Sequence, residues 1–340
     1  MTLQIEGTTI PEQMGKVKFN DTNVQILKLN DVTIWQANIS ISKSGIRKRG
    51  TYNLWNELGS KAGIGSPTGR TWTFTFTSCH FSGDSTSGYA FDVGNFPENS
   101  HVVIIFDRCV IVGQGGQGGS SLLLAGSSQQ RGQTFSHTRF IGDVHNGSHG
   151  GTAFRGGYQN KHMRVDVYLK SGTTLGAGGG GGGALIVSQW VGLPNGWPRG
   201  YVGLQSVSGS GGAGYGRGGD ARVQGSSSVG AAIGAATNKQ AGHAGTETGA
   251  GSKITIHQGS GIYATTYYSG AGGGLGRSGG AAAPQSGAKE GFQFWSVSHG
   301  GEAGYSFVKY GSNTDLRVRH ESGSHLYNGK SVAGTHFQNL

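Results

Sequence analysis

Alternation of apolar and polar residues dominates the first half of the chain. Thr71-Trp72-Thr73-Phe74-Thr75-Phe76 and His101-Val102-Val103-Ile104-Ile105-Phe106 put large apolar side chains at every second position, the period of a strand buried on one face. Val17–Phe19, Val24–Leu29 and Val32–Gln36 predict shorter strands, parted by Asn20-Asp21 and Asn30-Asp31 as turn chemistry, so that the opening reads as a small β-meander. Met163–Leu169 predicts a further strand, and Lys43–Arg49 a basic surface loop. A helical reading of Ala231–Ala236 meets glycines at three- or four-residue intervals, each costing about 1 kcal/mol in a helix. Little or no helix is expected.

The strands repeat. Phe76, Cys79, Phe81 and Gly83 share their spacing with Phe106, Cys109, Ile111 and Gly113, and again with Phe135, Thr138, Phe140 and Gly142, at offsets of 30 and 29 residues. Such a period is that of stacked strand-and-turn rungs, each unable to bury its apolar face alone. In a stack of this kind Cys79 and Cys109 lie one above the other as small core side chains. No CxxC spacing or histidine partner argues for a metal or redox role.

From residue 113 onward the pattern is set by glycine, 68 of 340 residues. The dense runs are 113–119, 147–157, 176–183, 209–219, 242–251, 270–280 and 299–304. A flexible linker is poor in aromatic residues, whereas this chain carries 6 Trp, 12 Tyr and 14 Phe, many beside the runs. Val110-Ile111-Val112 leads straight from strand into glycine, and the strand Met163–Leu169 does so through Lys170-Ser171-Gly172-Thr173. Glycine-built architecture is the better reading: extended backbone of the polyproline-II type repeats every three residues, points its N–H and C=O groups outward, and packs side by side where inward positions lack a side chain. The residues expected to build such a polyglycine-II sandwich are Gly115, Gly116, Gly118, Gly119, Gly178, Gly179, Gly180, Gly181, Gly182, Gly183, Gly211, Gly212, Gly218, Gly219, Gly272, Gly273 and Gly274. The fold class expected is all-β and irregular, with a β-rich region over residues 1–110 and a glycine-rich domain over 111–340.

The net charge of +10 is uneven, with 10 Lys/Arg against 9 Asp/Glu in residues 1–120 and 17 against 8 thereafter. That excess favours an acidic partner or plain solubility. The N-terminus has no basic start followed by an apolar stretch, and no run of 18 apolar residues follows it, so neither conventional secretion nor membrane insertion is expected. Two cysteines suit assembly in a reducing cytoplasm.

Residues 102–120, from Val102-Val103-Ile104 through Val110-Ile111-Val112 into Gly113-Gln114-Gly115-Gly116-Gln117-Gly118-Gly119-Ser120, resemble the distal tail-fibre adhesin of T-even-type bacteriophages. So do Val165-Asp166-Val167, Ser171-Gly172-Thr173 and the run 176–183, and so does the alternation of glycine motifs with aromatic-rich segments. The resemblance covers roughly residues 100–300. It implies a virion protein at the end of the tail fibre, capping the trimeric long-tail-fibre tip protein through its N-terminal region. It implies recognition of a bacterial outer-membrane protein or lipopolysaccharide by loops between the glycine motifs, with no catalysis, cofactor or nucleic acid. The meander at 17–36 departs from that family and looks like a module common in phage virion proteins.

The residues between the runs are then the candidate receptor contacts. Trp190, Trp197, Arg199 and Tyr201 are anchor types favoured at interfaces, although Trp190 or Tyr201 could equally cap the edge of the lattice. Tyr263, Tyr267 and Tyr268 form a second group. Phe292, Phe294 and Trp295 form a third, more strand-like, for which core packing is favoured. Asp143, His145 and His149 give the only cluster that hints at a metal or at hydrolysis, and its spacing provides no fixed face. Polyglycine without a terminal Gly-Lys-Ser/Thr is no phosphate loop. A tailspike-like polysaccharide-cleaving β-helix is the alternative function and needs converging carboxylates, Asp143 and Asp166 being the ones to watch. An ice-binding polyglycine protein needs a flatter, less charged face than these segments offer.

Overall fold

The computed structural model describes residues 3–5, 8–10, 17–19, 22–24, 26–29, 32–36, 38–62, 70–125, 140–159, 161–191, 200–224, 236–258, 265–284, 293–327, 329 and 335–339, with side chains described over part of these. Strands make up nearly all of its regular structure, and one short helical turn spans Trp55–Ala62. The chain forms two compact units. Unit 1 contains residues 1–112, 152–176 and 305–340, and unit 2 contains 113–151 and 177–304. The chain passes between the units at 112/113, 151/152, 176/177 and 304/305.

Unit 1 opens with three separate antiparallel hairpins, β1 (Leu3–Ile5) with β2 (Thr8–Ile10), β3 (Val17–Phe19) with β4 (Thr22–Val24), and β5 (Ile26–Leu29) with β6 (Val32–Gln36), in place of the expected meander. The next strands coil. The first rung is β7 (Asn38–Ser44), β8 (Arg47–Arg49) and β9 (Tyr52–Asn53), so the basic segment expected as a loop contains an edge strand. The second is β10 (Thr71–Thr77), β11 (His80–Ser82) and β12 (Tyr89–Asp92), and the third begins with β13 (Ser100–Asp107) and β14 (Val110–Val112).

At Gly113 the chain leaves for unit 2, making the hairpin β15 (Ser121–Ala125) and β16 (Phe140–Val144) before β17 (Thr152–Gly156) completes the third rung. The fourth rung starts with β18 (Met163–Leu169) and β19 (Thr174–Gly176). A longer excursion then carries β20 (Leu185–Val191), β21 (Gly200–Val207), β22 (Ala221–Gln224), β23 (Ala236–Gln240), β24 (Thr255–Gln258), β25 (Thr265–Tyr268), β26 (Ala283–Pro284) and β27 (Gln293–Val297). Unit 1 finishes with β28 (Phe307–Lys309), β29 (Thr314–His320), β30 (His325–Tyr327) and β31 (Thr335–Asn339).

Every strand pair between rungs is parallel and in register, giving three sheets in the orders β31-β29-β18-β13-β10-β7, β30-β19-β14-β11-β8 and β28-β17-β12-β9. The alternation explains the interior. Trp72, Val102, Val165 and Leu316 stack in one row, and Phe74, Ile104, Val167 and Val318 in the next, all fully buried. In the third sheet Tyr52, Phe91, Phe154 and Phe307 form an aromatic ladder with ring centroids 5.3 to 5.4 Å apart. Offset or tilted rings at this separation add about 0.5–1.5 kcal/mol per pair beyond burial.

The first two copies of the repeat are adjacent rungs, with Phe76 opposite Phe106 and Phe81 opposite Ile111. The third copy is not a rung. Phe140 and Gly142 lie in β16, which pairs antiparallel with β15 in unit 2, and Phe135 and Thr138 fall outside the described residues. The next rung comes after the excursion, where Leu175 follows Ile111 and Thr173 occupies the cysteine position. There the Cys109 N–H donates to Thr173 Oγ1 at 3.3 Å, just as the Cys79 N–H meets Cys109 Sγ at 3.4 Å. Both cysteines are fully buried core groups, and burial pushes the Cys109 thiol up to about 12.

Candidate functional site

Glycine dictates the geometry of unit 2. In residues 177–184 the direction of hydrogen bonding repeats every three residues. Gly178 and Gly181 donate to Gly151 and Ser148, Gly179 and Gly182 to Ala213 and Ser210, and Gly180 and Gly183 to Arg277 and Gly280, at 2.7 to 3.0 Å. The carbonyls repeat in the same way, accepting from Gly304 and Gly301, from Gly116 and Gly119, and from Gly273 and Gly270. This segment is therefore enclosed by lattice strands on every side. Residues 208–214 are enclosed similarly, donating to 116 and 119, to 270 and 273, and to 243 and 246, while accepting from 179 and 182, from 216 and 219, and from 251. Three-residue periodicity with outward-pointing backbone groups is the polyglycine-II arrangement.

The steric reason is direct. A Cβ on any of Gly178 to Gly183 would fall 1.9 to 2.1 Å from a neighbouring carbonyl oxygen. Gly115, Gly116, Gly118, Gly119, Gly211, Gly212, Gly218, Gly219, Gly272 and Gly273 are equally constrained, with closest backbone approaches of 1.9 to 2.3 Å. Gly274 is not: the nearest atom to its Cβ would be the Arg277 side chain at 3.9 Å. The run expected at 147–157 ends in the lattice at Gly151, because 152–156 form β17 of the solenoid. The runs at 209–219, 242–251 and 270–280 each fold back on themselves, the first through Gly214 and Tyr215, both with positive φ, and the last through Gly276.

This alternation of direction places every connecting segment together. Lattice segments 113–120, 177–184, 216–220, 249–253 and 277–282 run one way, and 145–151, 208–214, 241–246, 269–274 and 298–304 run the other. The strands that continue them, β15 with β16, β20 with β21, β22 with β23, β24 with β25, and β26 with β27, all emerge at the same end. Tight turns at Gly214-Tyr215 and Gly276 occupy the opposite end of unit 2. At the strand-bearing end Leu185, Tyr267 and Ala282 form one small apolar cluster, and Val207, Ile254 and Ile256 another.

The candidate contacts distribute over this end. Trp190 and Tyr201 are register partners in the β20–β21 hairpin, beside a bulge at Gln189/Trp190, and Trp295 pairs with Val187 across β20 and β27. Trp197, Arg199, Tyr263 and Phe292 lie outside the described residues. Tyr268 is half-buried, with Lys253 Nζ 4.1 Å above its ring. Tyr267 is fully buried against Leu185 and Ala282, so it caps the lattice and presents no surface to a receptor. The alternation of β25 foretells this, since Tyr267 and Tyr268 must point to opposite faces.

The Asp143, His145 and His149 cluster does not converge. Asp143 Oδ2 is 3.4 Å from His145 Nε2, while His149 turns to Glu302 and accepts its backbone N–H through Nδ1 at 3.1 Å. Among the described residues no group of three or more potential ligands is arranged for a metal ion. Asp166 belongs to unit 1. Burial would raise its carboxyl, but hydrogen bonds from Arg164 and His101 outweigh that and hold it below the usual carboxylate range. It accepts from His101 Nε2 at 2.7 Å and Arg164 Nε at 3.0 Å and so is neutralised in place. No helix of the described residues is long and apolar enough to cross a membrane.

Neither the curated proteins nor the solved structures give a match to this chain. One protein-family model does match: phage tail fibre adhesin Gp38, over residues 36–332. That span takes in the coiled strands from β7 to β30 together with the whole glycine lattice and its strand-bearing end, and it leaves out β31 and nearly all of the N-terminal hairpins. By a match of this extent the chain belongs to the phage tail fibre adhesin Gp38 family.

Proposed function

We propose that the strand-bearing end of unit 2 is the surface by which the phage first holds its host, reversibly, through an outer-membrane protein or lipopolysaccharide. The N-terminal region, residues 1–110, holds the tip of the trimeric long tail fibre. The observation that carries this reading is the gathering of all five connecting segments at one end of a lattice whose interior has no room for side chains. A scaffold with that property leaves the connecting segments as the place where sequence can vary, and it presents them without a large ordering cost on binding. The aromatic and cationic residues of 190–201 supply interface anchors.

Membership of an adhesin family, in place of an enzyme family, agrees with a binding function. Asp143 and Asp166, the carboxylates that a polysaccharide-cleaving site would need, belong to different units and are each engaged by a histidine.

The test is adsorption. Purified protein added to host cells should compete with phage for attachment, and the Trp190→Ala, Trp197→Ala, Tyr201→Ala triple variant should compete poorly while melting at the parent temperature. Full competition by that variant removes the segment from the binding surface. Hosts with truncated lipopolysaccharide, compared with hosts lacking single outer-membrane proteins, decide the receptor class.

A further inference from the structure

The interior of the coiled strands in unit 1 is apolar, and a charge that enters it needs a partner. Arg70 stands immediately before β10, where its carbonyl accepts the His101 N–H at 2.8 Å. It therefore lies beside Ser100 in the parallel register that pairs Thr71 with His101, and by the alternation of the strand it shares the inner face with Trp72 and Phe74. Arg70 is 8% exposed, Ser100 1% and Trp72 0%. Rings surround the indole: Trp55 and Phe96 pack on Trp72 with centroids 5.8 and 5.3 Å away.

Three polar groups on this face have no partner. Arg70 Nη1, Trp72 Nε1 and Ser100 Oγ are all buried, and none makes a hydrogen bond. Arg70 also forms no ion pair among the described residues. Arg155 shows the difference a counter-ion makes: hydrogen bonds to Asp92 raise its pKa, whereas that of Arg70 is lowered, with burial as the cause. A guanidinium keeps its charge even so, and a charge held out of water without an anion is strongly destabilising. The carboxylate nearest to Ser100 along the chain is already engaged, since Glu98 accepts the His162 N–H at 3.0 Å. Lys161, whose Nζ donates to the Phe96 carbonyl at 3.0 Å, brings a second cation to these residues and no anion.

We propose that Arg70, Ser100 and Trp72 bind a small monovalent anion, chloride or one of like size, inside the solenoid between its second and third rungs. Each of the three unpartnered groups is a hydrogen-bond donor, and only the hydroxyl can also accept, so the ligand they call for is an acceptor. One buried guanidinium matches one negative charge. A phosphate would bring more charge than Arg70 neutralises, and its remaining oxygens would meet rings in place of donors. The bound ion compensates Arg70 and ties β10 to β13. The site lies in unit 1 and does not depend on the receptor-binding reading of unit 2.

Thermal melting of the full chain tests it, at constant ionic strength, with sodium gluconate replaced stepwise by sodium chloride or sodium bromide. The parent protein is expected to gain about 2–4 °C in either halide, because an ion bound only by the folded state stabilises it. Arg70→Met, which removes the charge and keeps an apolar chain, should melt at the same temperature in all three salts. Ser100→Ala and Trp72→Phe, which each remove one donor, should show reduced gains. A crystal of the parent grown in bromide should hold an anomalous scatterer in contact with Arg70 Nη1. Equal halide gains in the parent and in Arg70→Met, no gain in the parent, or water alone at Arg70 in the bromide crystal overturns the proposal. If Arg70→Met does not fold, the bromide crystal and the Ser100→Ala melting curves decide.

Discussion

A side chain on Gly180 would place its Cβ 1.9 Å from the carbonyl oxygen of Gly301, on a lattice strand more than a hundred residues away in sequence. Neither partner is free to yield. Gly180 donates to Arg277 and accepts from Gly273, and Gly301 donates to Gly181 and accepts from Gly279. Gly180→Ala is therefore expected to reach or exceed the upper end of the about 1–3 kcal/mol typical of overpacking. Gly274→Ala, with only a flexible side chain nearby at 3.9 Å, is expected to be tolerated. Thermal melting of the two single variants checks the contrast, and similar melting temperatures would contradict the lattice as described.

The turn between the first and second sheets takes a left-handed residue in every rung: Gly45, Ser78, Arg108, Gly172 and Gly323 all have φ between 52° and 84°. Three are glycine and two are not. A side chain in that conformation costs roughly 1–2 kcal/mol, part of which glycine returns as chain entropy. Ser78→Gly and Arg108→Gly should each stabilise unit 1 by about 0.5–1 kcal/mol, read as a raised urea midpoint with unchanged slope.

Asp92 is the buried counter-ion of Arg155, which donates to it through Nε at 2.8 Å and Nη2 at 2.6 Å while lying 4.5 Å from the Tyr89 ring centroid and 5.0 Å from that of Tyr310. Asn53 and the Gly94 N–H complete the carboxylate's partners. Asp92→Ala leaves a guanidinium sandwiched between rings with no anion, and the expected loss is about 3–5 kcal/mol. Arg155→Met in addition should recover much of that loss, because the stranded charge goes with it. Chemical denaturation of the single and double variants measures both.

Asp166 gives the solenoid an acid-sensitive component. Its carboxyl titrates lower when folded than when unfolded, so its contribution is present above the unfolded value of about 4 and is lost as pH falls through the folded value. The melting temperature of the parent protein should fall more steeply below about pH 4 than that of Asp166→Asn, which should start lower at neutral pH. Parallel curves for the two proteins would show that Asp166 does not contribute.

Cys79 and Cys109 should resist alkylation in the folded protein and react only on unfolding, as their burial and the raised Cys109 thiol require. Thr173→Cys should be accepted, since the next rung offers the same position beneath Cys109.

Much of this architecture was legible in the residues. Alternation in 71–76 and 101–106 shows the strands and their buried face, and the shared spacing of Cys79 and Cys109 shows the rung register. These features are local, or lie one repeat apart, and follow from the two-residue period of a strand. The third copy of the repeat, at 135–142, is not a rung because a constant offset fails when an excursion interrupts the coil. The segment that continues the stack, 163–176, is recognisable as its next rung only by what it pairs with. Tyr267 falls among the candidate contacts in the sequence because an aromatic residue between glycine runs looks the same whether it caps the lattice or contacts a partner.

Sequence by itself determined that glycine is structural here, since polyglycine entered directly from strands and flanked by aromatic residues cannot remain a linker. It also determined the chemistry of the segments between the runs. Only the tertiary structure decided that 177–184 and 208–214 are the enclosed segments, that three of the runs fold back, and that all connecting segments meet at one end. The physical reason is that a glycine carries no side chain to specify its neighbour. Which strand receives each backbone hydrogen bond is set by the direction and register of the whole lattice, which no single run encodes.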